Sequence, residues 1–204
     1  MATEAKPSIG LMRPEHVATV ARLHRETFPD ELLPQLGPAV MDVLYRSYLD
    51  SPRGVAVAAT QDGEVAGFAT GAIGPGFVRE VVRRHWKLIA AAALRAAVRS
   101  PRLLRELTAV TQRLPDPFPG DPARRFYWRI LVVAPAWRGQ RLAMPLVRAI
   151  LLEARRRGAH DVFSPVYDYN RPSIRLHEIL GFESYPAAPG LHFYRLELAR
   201  LGEE

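Results

Sequence analysis

The sequence contains no cysteine. This absence excludes disulfide bonds, thiolate metal sites and cysteine nucleophiles. Long apolar runs are also lacking: the most apolar stretch, residues 88–98, is interrupted by Arg95 and is too short to cross a bilayer. The first eight residues do not show the basic and then apolar pattern of a signal peptide. We therefore expect a cytoplasmic protein without a transmembrane segment.

The composition is that of a folded protein. Of the 204 residues, 48% are hydrophobic and 24% are charged, which is the balance of a globular chain and not of a disordered one. A chain of this length is long enough for one well-buried core and short for two. We therefore predict a single domain over residues 1–204.

Positive charge is concentrated in one part of the chain. The net charge is +7, and residues 77–113 hold nine Arg and Lys residues against two Glu residues, so the rest of the chain is neutral. A local excess of this kind favours one basic surface with one anionic partner over a general affinity for polyanions. We therefore predict no specific nucleic-acid partner.

The order of predicted elements indicates an α/β fold of the α+β kind, with a mixed, mainly antiparallel twisted sheet flanked by helices. Asp62-Gly63 supplies the positive φ angles of a tight hairpin. Residues 126–166 form a β-α-β unit, whose two strands must be parallel. Hydrophobic spacing predicts strands at 8–12, 55–60, 64–73, 126–133, 161–166, 183–186 and 191–198, and helices at 14–28, 38–49, 142–157 and 172–180.

Residues 77–122 are predicted to be an insert in this plan. The stretch to residue 113 is helical in composition with a break at Ser100-Pro101, and residues 114–122 are rich in proline. Arg79, Arg83 and Lys87 stand four apart and would form one basic stripe beside an apolar flank. The apolar side can pack on the core, cover an acceptor cleft as a lid, or lie on anionic lipid. We favour the lid, which can also mediate self-association into a homodimer.

An anion site is predicted where a strand meets a helix, at residues 131–143. A helix N-terminus carries unpaired amide donors and the positive end of the helix dipole. Gly139 lets the backbone bend there, and Pro145, which has no N–H, ends the run of donors at about residue 144. The alternative is an ordinary β-α turn with a surface Arg and Gly.

A second motif follows at residues 170–182, NRPSIRLHEILGF. It resembles the N-x-x-S-x-x-L-Y-x-x-x-G-F signature of the GNAT superfamily of acyl-CoA-dependent N-acetyltransferases. Residues 138–143, RGQRLA, are similar to the R/Q-x-x-G-x-G/A pyrophosphate loop of the same family. The two motifs occur in the order of the family, on either side of a predicted strand.

The resemblance implies a reaction and a cofactor site. It implies transfer of an acetyl or other short acyl group from acyl-CoA to a primary amine by direct attack in a ternary complex, without a metal. The strand at 131–133 would splay from its neighbour and pair with the pantetheine arm, and an amide near Leu131 would stabilise the oxyanion. Asn170 would hold the pantetheine or cap the next helix. The implied cofactor-binding residues are Leu131, Val132, Val133, Arg138, Gly139, Gln140, Arg141, Leu142, Ala143 and Asn170.

Two residues of these motifs depart from the family pattern. Arg141 replaces the middle Gly of the pyrophosphate loop, so its side chain must turn away or grip a phosphate. His177 replaces the Tyr that often protonates the departing thiolate. An imidazole can donate a proton to sulfur, so we predict His177 as the general acid, and the alternative is that it only packs.

The general base is not assigned, because Tyr127 and Pro165 occupy the places where many family members carry an acid. Asp30, Glu31, Asp168 or a chain of water molecules could serve.

The acceptor side is less defined. In the family the first helices face the acceptor, so Phe28, Glu31, Tyr127 and Asp168 are the predicted acceptor-binding residues, together with Tyr167 and Tyr169. A small metabolite, an aminosugar, a peptide N-terminus and a protein lysine all remain open as acceptors. The alternative function is a catalytically weak CoA sensor or scaffold whose basic insert binds an anionic surface.

Overall fold

The computed structural model describes residues 6–99 and 117–202. Its seven strands are β1 (Ser8–Leu11), β2 (Gly54–Gln61), β3 (Glu64–Ile73), β4 (Arg125–Val133), β5 (Asp161–Tyr167), β6 (Glu183–Ala188) and β7 (Leu191–Glu197). The α-helices of the described residues are α1 (Val17–Thr27), α2 (Leu32–Gln35), α3 (Pro38–Asp50), α4 (Phe77–Arg84), α5 (Trp86–Arg99), α6 (Ala143–Arg156) and α7 (Arg171–Ile179). Within these residues no helix is both long and apolar enough to cross a bilayer.

The seven strands form one sheet in the order β1-β2-β3-β4-β5-β7-β6. Strands β4 and β5 are parallel because α6 crosses over between them, and the other neighbouring pairs are antiparallel. The mixed, mainly antiparallel sheet flanked by helices confirms the predicted fold class. The predicted hairpin is also present, with φ angles of 51° at Asp62 and 82° at Gly63.

Helices cover both faces of the sheet. Helix α6 packs its predicted apolar residues, such as Leu146 and Ile150, on one face together with side chains of α7. Helices α1, α3 and α4 pack on the opposite face around Tyr45 and Phe68. The sheet therefore has an α6 face, which also carries α7, and an α1–α4 face.

The described part of the insert consists of two helices packed on the α1–α4 side. Phe77 of α4 stacks on Tyr48 of α3, and α5 packs Ile89, Ala92 and Ala96 against α2 and the start of α3. The sequence predicts one unbroken helix to residue 99, and this was wrong, because the chain bends at His85 between α4 and α5. The predicted break at Ser100-Pro101 lies outside the described residues.

A buried ion network joins three strands at the N-terminal end of β4. The Arg125 side chain is 0% exposed, and its Nε and Nη2 donate to the two Asp161 carboxylate oxygens at 3.0 and 2.8 Å. Arg195 on β7 donates from Nε to Asp161 at 3.0 Å, and Arg125 also donates to the Pro119 carbonyl at 2.7 Å. The network fixes the one place where β4 and β5 pair.

Candidate active site

Strands β4 and β5 separate after three residue pairs. The pairs are Arg125 with Asp161, Phe126 with Val162, and Tyr127 with Phe163, whereas β5 pairs with β7 along its whole length. From Trp128 onward β4 pairs with β3 alone among the described strands, and a gap separates it from β5. The splay that the family resemblance implies is present, and its closed end lies at Tyr127.

The far end of β4 directs backbone groups into this gap. The Ala134 N–H donates to the Ala66 carbonyl on the β3 side at 2.9 Å. Because successive residues of a strand direct their N–H and C=O groups to opposite edges, Leu131 and Val133 direct theirs into the gap. The buried Val132 side chain anchors the strand on the α1–α4 face. An extended ligand can therefore add to β4 as a further strand does.

A β-bulge lies at the closed end of the gap. Gly71 pairs with Trp128 and Thr70 pairs with Ile130, so Arg129 is the extra residue. Trp128 before the bulge and Leu131 after it both pack on the α6 face, because the extra residue reverses the alternation of side chains. The bulge thus sets which amides of β4 face the gap.

The predicted anion site lies at the open end of the gap. After a 3₁₀ turn at Pro135–Trp137, the chain takes positive φ angles at Gly139 (83°) and Arg141 (58°) and enters α6. Within the described residues, the amides of residues 139, 141, 142, 143 and 144 donate to no protein acceptor. These donors surround the positive end of α6, which suits an anion of high charge.

Arg141 holds a conformation that favours glycine. Its φ of 58° lies in the left-handed region, where a side chain costs about 1–2 kcal/mol. We expect Arg141→Gly to raise the free energy of unfolding by up to about 1 kcal/mol in urea titrations. The same variant separates the two roles left open for the side chain. Unchanged affinity for CoA means that Arg141 turns away, and a tenfold or greater loss means that it grips a phosphate.

Arg138 and Asn170 lie at the edges of the gap. The Arg138 Nε is 3.4 Å from the Val133 carbonyl, which places this exposed side chain across the end of β4. The Asn170 Oδ1 accepts the Ser173 N–H at 3.2 Å, so Asn170 caps α7 as predicted. Its amide nitrogen makes no hydrogen bond to the described residues and is free to donate to a ligand.

His177 lies in the core behind the closed end of the gap. It is 1% exposed and stacks on Trp128 with ring centroids 4.8 Å apart. Its Nδ1 is 2.7 Å from the Ser173 carbonyl and must carry the proton, so Nε2 accepts the hydroxyl of Ser164 at 3.0 Å. In this tautomer His177 has no N–H left to donate to the sulfur of CoA. The general-acid role predicted from the sequence requires such an N–H.

Burial also keeps His177 neutral. Desolvation lowers the pKa of His177 from 6.5 to about 4, against a smaller raising effect of the Ser173 hydrogen bond. Because the unfolded chain binds the proton first as pH falls, the stability that the neutral form provides is complete above pH 6.5 and is lost toward pH 4.

We expect the free energy of unfolding to fall by roughly 3 kcal/mol across this window through His177. His177→Phe removes this titration, so urea titrations should show a shallower pH dependence for the variant than for the unchanged protein. His192→Phe is the control, because this half-exposed histidine is not buried in the core. Equal slopes for the unchanged protein and His177→Phe would contradict the buried neutral state.

Two carboxylates of the predicted acceptor side are already engaged by histidines. Glu31 lies 3.4 Å from Nε2 of His24, whose Nδ1 is 2.6 Å from the Tyr45 hydroxyl. Asp168 lies 2.8 Å from Nε2 of His192.

The other predicted acceptor residues each contact an aromatic ring. Phe28 packs edge-on against His24 with ring centroids 5.5 Å apart. Tyr127 packs on Phe163, whereas Tyr167 and Tyr169 are exposed and stacked on each other.

The sequence did not single out His24, Trp128 or Ser164. His24 was recognisable, because it continues the buried helical spacing of Val17 and Val20. Trp128 and Ser164 gave no such signal, since their meeting with His177 depends on the separation of β4 from β5.

The profile of the Acetyltransferase (GNAT) family matches residues 17–182. The chain belongs to this family. Membership confirms the resemblance seen in the two motifs, and it makes acetyl-CoA the expected acyl donor of this GNAT protein. No curated protein sequence matches the chain.

Solved structures agree with this membership at the level of the fold. YncA from Salmonella typhimurium, solved with its cofactor acetyl-CoA, has a TM-score of 0.61 at 17% identity, with 98% of each chain covered. An N-acetyltransferase from Staphylococcus aureus Mu50 has a TM-score of 0.62 at 15% identity and covers 95% of this chain and 99% of its own. The ribosomal-protein-S18-alanine N-acetyltransferase from Escherichia coli has a TM-score of 0.54 at 17% identity, with 96% of each chain covered.

Proposed function

We propose that the protein transfers an acetyl or other short acyl group from acyl-CoA to a primary amine, by direct attack in a ternary complex. The observation that carries this proposal is that the gap beside β4 and the amides at the start of α6 form one continuous candidate binding site. The gap beside β4 runs from a bulge at its closed end to the unpaired amides at the start of α6. An extended arm with a terminal pyrophosphate matches such a site in length, polarity and charge.

In this proposal CoA lies along the gap. The pyrophosphate accepts hydrogen bonds from the free amides of residues 139 and 141–144, with the Arg138 guanidinium close by. The pantetheine pairs with the backbone of Leu131 and Val133 and accepts a hydrogen bond from the Asn170 side chain. The thioester then lies beside the bulge, where the Leu131 amide faces the gap. This amide stabilises the negative charge that forms on the thioester oxygen when the amine attacks.

Packing at the closed end favours a short acyl group. Trp128, His177 and Ser164 are all buried there, and Phe182 and Tyr194 complete the ring cluster around His177. A long acyl chain would have to displace these rings from a well-packed core. The same packing closes the α6 side of the thioester, so the amine approaches from the α1–α4 face.

The reaction needs a base for the attacking amine and a proton for the departing CoA thiolate. The attacking amine loses its proton to one of the histidine-held carboxylates on the acceptor side, Glu31 or Asp168, directly or through water. We propose that His177 acts as a positioning residue, in place of the general acid predicted from the sequence, because its Nε2 holds the Ser164 hydroxyl and its ring supports Trp128. The CoA thiolate is then protonated from solvent.

Initial velocities test this proposal. Thiol release is measured while acetyl-CoA and each member of an amine panel are varied together, and the acylated amine is identified by mass spectrometry. Direct attack predicts amine-dependent release with intersecting double-reciprocal lines. Parallel lines would instead indicate a covalent acyl-enzyme. Saturable CoA binding without turnover of any amine, peptide or protein lysine would favour the sensor or scaffold function.

A further inference from the structure

Arg129 occupies a distinctive position beside the proposed reaction centre. It is the extra residue of the β4 bulge, two residues before the Leu131 amide and two after the last β4–β5 pair at Tyr127. Since bulges reorient the side chain of the extra residue, Arg129 does not follow the regular alternation of β4 side chains between the two faces of the sheet. Its side chain is exposed, whereas Trp128 is buried and Ile130 is partly buried.

The charge of Arg129 acts on the α1–α4 side of the sheet, from which the amine is proposed to approach. Burial raises the pKa of the Tyr48 hydroxyl, and the charge of Arg129 acts on the same hydroxyl in the opposite direction. Tyr48 belongs to α3, on the α1–α4 face, and stacks on Phe77 of the insert. The charge of Arg129 therefore acts on a group of this face.

Arg129 differs from Glu31 and Asp168 in having no ion-pair partner among the described residues. Among the described residues, no hydrogen bond or ion pair engages its guanidinium. Glu31 and Asp168, in contrast, are each held by a histidine. Within the described residues, Arg129 is therefore a cation that is available to a ligand.

We propose that Arg129 binds a carboxylate of the acceptor, so that the preferred substrates are amines that carry a nearby carboxylate, such as amino acids with a free carboxyl group. This inference rests on the proposed function and names its substrate class. The planar guanidinium offers paired N–H donors that match the two oxygens of a carboxylate. Held in this way, the acceptor places its amine next to the thioester at the bulge. The amine then attacks the thioester carbonyl carbon of acyl-CoA.

The preference for acceptors that carry a carboxylate should be large enough to measure in steady-state kinetics. A hydrogen bond to a charged group contributes about 1.5–3 kcal/mol, which corresponds to a factor of about 10–150 in kcat/KM. The test compares amino acids with their amides and with the corresponding decarboxylated amines, at 0.15 M salt so that long-range attraction is screened. The variants are Arg129→Gln and Arg129→Lys. The control is Arg156→Gln, which removes one exposed charge near the C-terminal end of α6.

We expect the unchanged protein to have a higher kcat/KM for each amino acid than for its amide or the corresponding decarboxylated amine. Arg129→Gln should lower kcat/KM for the amino acids about 10- to 100-fold, mainly through KM, and change the amides less than twofold. Arg129→Lys should restore part of the loss, and Arg156→Gln should alter neither class. Equal kcat/KM for amino acids and amides in the unchanged protein would overturn the inference. An equal loss for both classes in Arg129→Gln would overturn it as well.

Equilibrium binding separates this inference from the proposed function. N-acetyl amino acids and their amides are titrated into the CoA-saturated protein and into the CoA-saturated Arg129→Gln variant. Carboxylate-selective binding that disappears in the variant supports the inference even if no amine is acylated, in which case only the proposed reaction fails. Absence of selective binding overturns the inference even if amines without a carboxylate are acylated.

Discussion

Asp161→Ala is expected to lower the free energy of unfolding by about 3–5 kcal/mol. The substitution removes the Asp161 carboxylate from the fully buried Arg125 and one of the bonds of Arg195. Loss of one partner of a buried ion pair is far more destabilising than the loss of a surface ion pair. Urea titrations of the unchanged protein and the variant at pH 7 measure the difference.

Glu197→Ala is the matched control for this effect. Glu197 pairs with the same Arg195 at 3.4 Å, but its side chain is exposed. We therefore expect a loss below about 1 kcal/mol for the control. If Asp161→Ala were no more destabilising than Glu197→Ala, the buried network would not hold β4 and β5 together. The affinity for CoA should fall in Asp161→Ala as well, since the network lies at the closed end of the gap.

Gly139→Pro is expected to weaken CoA binding by roughly a hundredfold or more. Gly139 has a φ of 83°, and proline is fixed near −65°, so the loop must leave the conformation that collects the free amides. Proline also removes the Gly139 N–H, one of those donors. A backbone conflict of about 3 kcal/mol corresponds to this change in affinity. Isothermal titration with acetyl-CoA measures it.

A pair of alanine variants separates the binding role of this loop from general strain. Gly139 and Gly158 have φ angles of 83° and 88°, and a Cβ at either position meets no atom within 4 Å. Gly139→Ala and Gly158→Ala should therefore destabilise the protein to a similar extent. Only Gly139→Ala should lower the affinity for CoA, because Gly158 lies at the opposite end of α6. Equal affinities for CoA in the two variants would mean that the pyrophosphate does not bind at this loop.

Much of the fold could be predicted because its signals are local. Asp62-Gly63 determines the hairpin, and the apolar spacing of α6 and the crossover between β4 and β5 follow from the sequence pattern. The anion loop was also visible as a strand followed by Gly139 and a helix. Such signals depend on residues close in the chain, so they do not require knowledge of the tertiary structure.

Features that depend on tertiary packing could not be predicted. The bend at His85 has no proline or glycine to mark it, and the short helix α2 lies in a stretch that was assigned to no element. The bulge at Arg129 appears only when β4 is paired with β3. The motif placed His177 at the thiol, but its burial and its bond to Ser164 come from the ring cluster that surrounds it.

Several predictions about the wider role of the protein stay predictions. The lid role of the insert is one of them, although α5 packs on α2 next to the loop that holds Phe28 and Glu31. Replacing residues 77–122 by a short Gly-Ser linker would test it through acceptor kinetics with intact CoA binding. The homodimer, the anionic surface partner and the cytoplasmic location stay predictions in the same way.

Direct titration of acetyl-CoA into the full chain tests the central claim most directly. The free amides at the start of α6 and the open edge of β4 form one site in this account. Calorimetry at moderate salt should therefore give saturable binding of one acetyl-CoA per chain, weakened strongly in Gly139→Pro. Absence of binding to the folded, unchanged protein would contradict the account.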